Sequence, residues 1–246
     1  MKVTQLLRSA RVEVQKPYEE KLEMTRRIID NFLLLFRRCF VSCSFGKDSI
    51  VVLHLVRGIQ PDIPVVFNNT GVDGPETYEY RDRMVEMWGL KLYETLPVKG
   101  WDFFKVADKY GLPDGRKRSD MCCDYLKEIP LRRLVKEQKW EINFTGMTVL
   151  ESRNRMFTIC ERGQSYLSKK DICVKVHPIA YWTDGDVWRY IHENNIPVNP
   201  VYEKYGVERT GCIPCTSHRN WREQMSRVHP KLYRLICERY FSEEVP

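Results

Sequence analysis

Short runs rich in apolar residues alternate along the chain with segments in which apolar residues recur at helical spacing. Leu22, Ile28, Ile29, Phe32 and Leu33 follow the helical period and predict an amphipathic helix over residues 18–37. The short apolar runs predict buried strands, at 39–43, 64–68, 91–95, 142–145 and 175–177. Further helical patterns lie between or after them, at 50–58, 76–88, 126–137 and 184–194.

This alternation of strands and helices predicts an α/β fold, a Rossmann-like parallel sheet flanked by helices. Three regions are expected: an N-terminal helical segment at 1–37, the nucleotide-binding α/β domain at 38–195, and a C-terminal helical or irregular extension at 196–246. Ligands of such sheets bind at the carboxyl ends of the strands. The loops that begin at Ser42, Asn69 and Gly146 are therefore the candidate ligand loops.

The first of these loops follows a predicted strand and reads Ser-Cys-Ser-Phe-Gly-Lys-Asp-Ser. A small-residue turn that leads into a helix directs free backbone N–H groups and the positive helix end at an anion. It is not a Walker A loop, because the early glycine is missing and Asp follows the Lys. A turn without a ligand is the alternative. The residues predicted to bind phosphate are Ser42, Ser44, Phe45, Gly46, Lys47, Asp48 and Ser49.

Composition and charge narrow the class of protein. The chain has 246 residues, 43% of them hydrophobic, and a formal net charge of +7. The charge suits a polyanionic partner, although a solvated basic surface explains it equally well. The sequence shows neither an apolar run of membrane-spanning length nor a signal-peptide pattern, so a cytoplasmic protein without membrane contact is expected. In that compartment, nine cysteines direct attention to metal binding or redox chemistry.

Four of the cysteines form two pairs, the adjacent Cys122 and Cys123 and the Cys-x-x-Cys of Cys212 and Cys215. Four thiolates hold either an iron–sulfur cluster or a zinc ion. Two adjacent thiolates rarely converge on one small ion, whereas a cluster offers them separate irons, so the pattern favours a cluster. Buried cysteines without a ligand remain a third interpretation.

The two motifs together resemble a known family. The Ser-x-Gly-Lys-Asp-Ser run resembles the PP-loop of ATP pyrophosphatases, and the cysteine pattern, with Lys127 and Pro130 after the first pair, resembles that of adenylyl-sulfate reductases. Adenylyl-sulfate reductases belong to the wider phosphoadenosine phosphosulfate (PAPS) reductase family, a branch of the PP-loop superfamily, and this chain resembles that family over residues 38–230. The resemblance implies an adenine nucleotide α-hydrolase-like fold and a [4Fe-4S] cluster on the four cysteines. It also implies that Lys127 lies near cluster and ligand phosphates.

The resemblance also implies roles for the other two loops. Asn69, Thr70 and Gly71 occupy the place of a family loop that borders the nucleotide. Gly146 opens a stretch similar to a family segment that often has arginine soon after the glycine, where this chain has Met147 and Thr148. Arg153 and Arg155 are expected to supply the missing charge, because arginine forks suit phosphate oxygens. Surface ion pairing is the alternative for each.

Two features favour ATP chemistry over reduction. The family's reductases end in a Glu-Cys-Gly segment whose cysteine attacks the sulfate sulfur, whereas the last cysteine here is Cys237. Those reductases also commonly lose the Lys-Asp pair that this chain keeps as Lys47-Asp48. An intact pyrophosphatase loop together with a cluster resembles the sulfur-inserting enzymes of the Dnd and Ssp DNA phosphorothioation systems.

We therefore predict an ATP pyrophosphatase that adenylates a nucleic acid for sulfur insertion, in DNA phosphorothioation or tRNA thiolation. Lys47 would stabilise the departing phosphates, and Asp48 would position Mg²⁺ for the bound ATP. The expected partners are an adenine nucleotide, a nucleic-acid substrate, a cysteine desulfurase and a second copy of the chain in a homodimer. The alternatives are a PAPS or adenylyl-sulfate reductase that produces sulfite, and a non-catalytic nucleotide sensor.

Overall fold

Six short strands form one sheet at the centre of the computed structural model, which describes residues 3–113, 121–170, 172–217 and 220–241. The strands are β1 Cys39–Ser42, β2 Val65–Asn68, β3 Leu92–Thr95, β4 Ile142–Thr145, β5 Ser165–Ser168 and β6 Cys173–Val176. Their order is β3-β2-β1-β4-β6-β5. All neighbours are parallel except β5, which runs antiparallel to β6. The predicted Rossmann-like sheet is confirmed, with one antiparallel edge strand that the sequence pattern did not predict.

The strand register brings the candidate ligand loops to one edge. Ser42, the last residue of β1, pairs with Val66 on one side and with Thr145, the last residue of β4, on the other. Asn68 and Thr95 pair at the ends of β2 and β3. Because the strands are parallel, the loops that follow β1, β2 and β4 all leave from this edge.

Helices flank the sheet and fill the C-terminal third. They are α1 Val3–Gln15, α2 Tyr18–Leu35, α3 Lys47–Arg57, α4 Pro75–Trp88, α5 Phe103–Tyr110, α6 Met121–Cys123, α7 Ile129–Gln138, α8 Arg153–Arg162, α9 Asp184–Glu193, α10 Val201–Tyr205, α11 Trp221–Val228 and α12 Pro230–Tyr240. Helix α3 begins at Lys47 rather than at the predicted Ile50, so Lys47 and Asp48 lie in its first turn. Among the described helices, none has both the length and the apolar content needed to cross a membrane.

The sheet has an apolar layer on each face. Val41, Phe67 and Phe144 contribute to the larger core, in which α2, α3 and α9 also bury side chains. On the opposite face, Phe40 and Val66 pack with the side chains of α7. A third cluster joins α5 and α6 to α11 and α12, so the C-terminal helices pack beside the first cysteine pair. The domain limits at residues 37 and 195 stay predictions.

A π-helical turn, Asp124–Glu128, connects α6 to α7. In its hydrogen-bond pattern, the Ile129 N–H donates to the carbonyl of Asp124, five residues earlier. Pro130 explains the local departure from α-helix, because proline has no N–H and its ring clashes with the carbonyl four residues before it. The turn directly follows Cys122 and Cys123 and contains Lys127, so it sets how these side chains face one another.

Candidate nucleotide and cysteine site

The phosphate loop connects β1 to α3, and its N-cap residue has no side chain that could cap the helix. Gly46 occupies the N-cap position in an extended conformation. The Ser49 hydroxyl donates to the Gly46 carbonyl at 3.0 Å and lies 3.3 Å from the Ser44 hydroxyl, which ties the loop together. The N–H groups at such a helix N-terminus favour an anion, so this end of α3 suits a phosphate, whereas phosphate binding by the loop residues stays a prediction.

Phe45 anchors this loop in the core rather than facing a ligand. Its φ of 56° is unusual for a residue with a Cβ, and its side chain is fully buried. The ring packs against Phe67 and Tyr80, with centroids 5.7 and 6.3 Å away. A strained φ of this kind costs about 1 kcal/mol or more and persists only when the surroundings hold it. The predicted contribution of Phe45 to the site is therefore limited to its backbone.

Beside the loop lies a cavity of about 360 Å³, which we call the nucleotide cavity. Ser42, Ser44, Gly46 and Ser49 line one side of it, and the end of β4 lines another. Two lining atoms, the Ser42 hydroxyl and the Asn143 side-chain carbonyl, are buried without a hydrogen-bond partner in the described part of the chain. Buried polar groups in proteins are nearly always paired, so both atoms indicate a polar ligand or bound water in this cavity.

Gly146 closes the cavity from the β4 side. A Cβ at this position would lie 2.7 Å from the backbone carbon of Asp48 and from the backbone nitrogen of Ser49. Atoms this close to a rigid helix turn cannot be accommodated without moving the backbone. Gly146 therefore permits the loop after β4 to contact the first turn of α3, which explains why glycine stands there. The predicted contact of Gly146 with a nucleotide stays untested.

Lys47 is engaged by protein groups on two sides. Its ammonium lies 3.1 Å from Asp48 Oδ2 and 2.6 Å from Asp184 Oδ1. Its backbone N–H donates to the Tyr202 hydroxyl at 2.8 Å. Burial lowers the pKa of Lys47, but the two carboxylates outweigh it and the net shift is upward. The side chain lines a neighbouring cavity of about 640 Å³, the lysine cavity, whereas Asp48 lines both.

Two arginines place positive charge in the nucleotide cavity. Arg155 forms an ion pair with Glu151, and both line the cavity together with Arg209. Burial and the nearby charge of Arg209 lower the pKa of Arg155 to about 10, against the opposing effect of Asp48. Two guanidinium groups this close favour an anion between them. Arg153 is exposed and lies outside the residues that line the cavity.

Sequence reasoning missed Arg209, which lies in a segment without helical or strand periodicity. It missed Asn143 as well, although the alternation within Ile142–Thr145 puts Asn143 and Thr145 on one face of β4 and was a usable signal.

The loop after β2 contributes differently from the prediction. Asn69 accepts hydrogen bonds from the Gly71 N–H and the Tyr78 hydroxyl, both at 2.8 Å, so it stabilises its own turn. Thr70 donates to Asp73 at 2.8 Å and is buried. The residues lining the nucleotide cavity from this region are Asn68 and Asp73. Asn69, Thr70 and Gly71 lie behind that surface, and their predicted contact with a nucleotide stays untested.

All four paired cysteines line another cavity of about 560 Å³, the cysteine cavity. The Cys212 thiol donates to the Thr70 hydroxyl at 3.4 Å, and the Cys215 sulfur lies 3.0 Å from the Ser217 hydroxyl. In the described parts of the chain, no three His, Cys, Asp or Glu side chains converge as ligands of a single metal ion.

Lys127 connects the cysteine cavity to the nucleotide cavity, because it lines both. Burial lowers the pKa of its ammonium, but Cys212, Asp73 and Cys123 outweigh that effect and raise it. Four further residues line both cavities: Glu151, Arg155, Arg209 and Gly211. The two cavities are therefore adjacent, and an anionic group held by the arginines and Lys127 would lie beside the thiols.

Comparison with known proteins agrees with this arrangement. The model of the phosphoadenosine phosphosulfate reductase domain matches residues 38–218. A phosphoadenosine 5′-phosphosulfate reductase of Xanthomonas axonopodis pv. citri is 32% identical over 211 residues, which cover 83% of this chain and 81% of that protein. An adenosine 5′-phosphosulfate reductase of Anoxybacillus flavithermus is 31% identical over 176 residues, 72% of each chain.

The fold is also that of a solved PAPS reductase. The structure of the Candida auris enzyme, in a phosphate complex, superposes with a TM-score of 0.60 at 17% identity and covers 86% of this chain and 96% of that one.

These relatives overturn the predicted activity. The expectation of an ATP pyrophosphatase that adenylates a nucleic acid is wrong, because relatives that match four fifths of the chain are phosphosulfate reductases. The geometry offers a physical reason, since the ammonium of Lys47 lies between two carboxylates. The likeness to DNA phosphorothioation enzymes gains no support from these relatives either. Nucleic acid, a cysteine desulfurase and a homodimer stay untested predictions.

Proposed function

Because this chain belongs to the phosphoadenosine phosphosulfate reductase family, we propose that it reduces the phosphosulfate group of an adenine nucleotide to sulfite. One structural observation carries the proposal: the nucleotide cavity and the cysteine cavity are adjacent and share Lys127, Arg155 and Arg209. A nucleotide whose adenosine occupies the first cavity would extend its anionic end towards the second. The shared cations then meet the phosphate and the sulfate.

The reaction needs a dithiol as the source of two electrons. One thiolate attacks the sulfur, the bond between sulfur and the bridging oxygen breaks, and the nucleoside phosphate leaves with that oxygen and the bonding pair. The second thiolate attacks the S-sulfonated thiol, which releases sulfite and forms a disulfide. Lys127, Arg155 and Arg209 stabilise the charge that develops on the leaving phosphate. The amides of the phosphate loop and the hydroxyls of Ser42 and Ser44 hold the nucleotide.

The four thiols line one cavity, and the adjacency of Cys122 and Cys123 suits the separate irons of an iron–sulfur cluster better than one zinc ion. Cys122, Cys123, Cys212 and Cys215 would hold a [4Fe-4S] cluster. A bound cluster supplies a compact centre of charge near the substrate anion. Lys127 offsets the negative charge of the thiolates, and Thr70 fixes the orientation of Cys212.

Adenosine 5′-phosphosulfate is the substrate that we place first, and its 3′-phosphorylated form second. The relatives include reductases of both nucleotides. The cysteine quartet, which the sequence shares with adenylyl-sulfate reductases, favours the first. The 32% identity to a reductase of the 3′-phosphorylated nucleotide supports that nucleotide as the second candidate substrate.

The test is an anaerobic assay with dithiothreitol or thioredoxin as the dithiol. Sulfite release is measured with adenosine 5′-phosphosulfate and with its 3′-phosphorylated form as substrates. Pyrophosphate release from ATP is measured as the control. We expect sulfite from at least one sulfated nucleotide and intact ATP. Arg155→Gln should lower sulfite release by about a hundredfold, the cost of removing one preorganised charge at a leaving group. Pyrophosphate from ATP without sulfite from either nucleotide would refute the proposal.

A further inference from the structure

The lysine cavity adjoins the nucleotide cavity and carries mostly negative charge. Asp48, Glu151, Tyr202 and Arg209 line both spaces. Around the lysine cavity stand four carboxylates and two cations: Asp48, Glu151, Asp184 and Glu208 against Lys47 and Arg209. Of these charged groups, the proposed reaction uses only Arg209. The carboxylates of this cavity are therefore expected to affect which nucleotides the adjoining nucleotide cavity binds.

Lys47 provides the only ammonium of the phosphate loop, and carboxylates occupy two of its three N–H donors. Asp184 lies 2.6 Å and Asp48 3.1 Å from Nζ. The Tyr202 hydroxyl accepts from the backbone N–H at 2.8 Å. A phosphate that entered here would have to displace Asp184 and lie beside uncompensated carboxylates, and like charges at short range are strongly unfavourable.

We propose that Asp184 is a specificity-determining residue that binds Lys47 and thereby excludes the β- and γ-phosphates of ATP. Asp184 lies in the first turn of α9, where Thr183 and Asp186 form the capping box, so its carboxylate is free of capping. Its side chain is 66% exposed and the side chain of Lys47 only 8%, so the ion pair covers the lysine from the solvent side. AMP has no group beyond its first phosphate. The sulfate of a phosphosulfate nucleotide stands where the β-phosphate of ATP does, but it carries a single negative charge and no further phosphate, and Lys127, Arg155 and Arg209 direct it to the cysteine cavity.

The ion pair with Asp184 gives a function to the Lys47-Asp48 pair that the loop shares in sequence with ATP pyrophosphatases. A phosphate loop alone does not select its ligand, because charges contributed from elsewhere decide which anion gains or loses energy there. Here the selecting charge comes from α9. The inference rests on the proposed function only for placing an adenine nucleotide in the nucleotide cavity.

The experiment compares the dissociation constants of AMP and ATP by titration calorimetry, in buffer with EDTA and in buffer with Mg²⁺. Asp184→Asn removes one charge and keeps the shape. We expect it to tighten ATP binding by about tenfold, equivalent to about 1.4 kcal/mol, and to leave AMP binding unchanged. Glu208→Gln is the matched control: it neutralises a carboxylate of the same cavity for which the structure shows no ion pair with Lys47.

A second variant tests whether Lys47 is the group that Asp184 restrains. In the double variant Asp184→Asn with Lys47→Met, the gain in ATP affinity should disappear, because the released ammonium is absent. An unchanged ATP to AMP ratio in Asp184→Asn would overturn the proposal. So would equal gains in Asp184→Asn and Glu208→Gln, or a gain that persists in the double variant. Thermal melting of each variant shows that it is folded.

These outcomes are independent of turnover. If sulfite is never released but the affinity ratio shifts as expected, the proposed function fails and the exclusion of ATP stands. If sulfite is released and the affinity ratio does not shift, the proposed function stands and the exclusion of ATP fails. Tight ATP binding by the unaltered chain, stronger than AMP binding in either buffer, would also overturn the exclusion.

Discussion

At the scale of single residues, His177 is the most strongly perturbed titrating group near the site. It is 2% exposed, and its Nδ1 lies 2.6 Å from the hydroxyl of Thr145, which lines the nucleotide cavity. Its Nε2 is buried without a partner in the described residues. Burial, with the charges of Lys175 and Arg155, lowers its pKa to about 3. His177 is thus neutral at pH 7 and orients Thr145.

This burial predicts a loss of stability in acid. The unfolded chain binds a proton on His177 below about pH 6.5, whereas the folded chain does so only near pH 3, so the free energy of unfolding falls as the pH drops through that window. Between pH 7 and pH 5 the loss from this residue is about 2 kcal/mol. Urea unfolding at pH 7 and pH 5 measures it. In His177→Gln the difference between the two pH values should shrink by that amount, and in the exposed His192→Gln it should not. Equal pH dependence in all three proteins would contradict the assignment.

At the scale of elements, the contact between the loop after β4 and the first turn of α3 holds the phosphate loop in place. Gly146→Ala would put a methyl group 2.7 Å from backbone atoms of Asp48 and Ser49. We expect a loss of about 1–3 kcal/mol in stability, as for overpacked cores. AMP binding should weaken more than about tenfold, because the helix N-terminus moves. Melting temperature and AMP titration measure the two effects.

The control for this substitution is Gly185→Ala in α9. A Cβ at Gly185 would lie 3.7 Å from the Thr183 hydroxyl, which is an ordinary van der Waals contact. Alanine in a helix is favoured over glycine, so this variant should be as stable as the parent or more so. If both variants bind AMP like the parent, Gly146 does not set the loop geometry.

The elements that were predictable from sequence are those whose apolar pattern is long or fully buried. The strand at Ile142–Thr145 has the predicted limits, and the helix at Asp184–Glu193 ends one residue before its predicted end. Strand β5 escaped prediction because Ser165–Ser168 is a short, half-exposed edge strand with one apolar side chain exposed and no buried run. Helix α3 was predicted to begin three residues late, because Lys47, Asp48 and Ser49 carry no apolar signal although Gly46 starts the helix.

At the scale of the whole molecule, the site joins distant segments, and this limited what the sequence could establish. The loop motif and the cysteine pairs were visible locally, and they identified the family correctly. Arg209 and Asp184 reach the site only through the fold. The activity was predicted wrongly because the Lys47-Asp48 pair was interpreted without its partner on α9. A loop motif predicts an anion site, but the charges around it determine the anion.

The cysteine cavity makes a last prediction about the whole molecule, because its two pairs belong to segments about ninety residues apart. Cys122 and Cys123 belong to the helix that packs on α11 and α12, while Cys212 and Cys215 precede those helices. A cluster on all four thiols would connect these segments only in the folded chain, so its binding energy adds to folding.

We expect anaerobically prepared protein to contain about four irons per chain, and removal of iron by a chelator to lower the melting temperature by about 5 °C or more. Cys212→Ser should lose the iron and melt at the lower temperature. Cys160 lies outside the residues that line the cavity, so Cys160→Ser should keep the iron and the melting temperature of the parent. Zinc in place of iron, or identical melting of Cys212→Ser and the parent, would show that the four thiols do not hold a cluster that binds the two segments together.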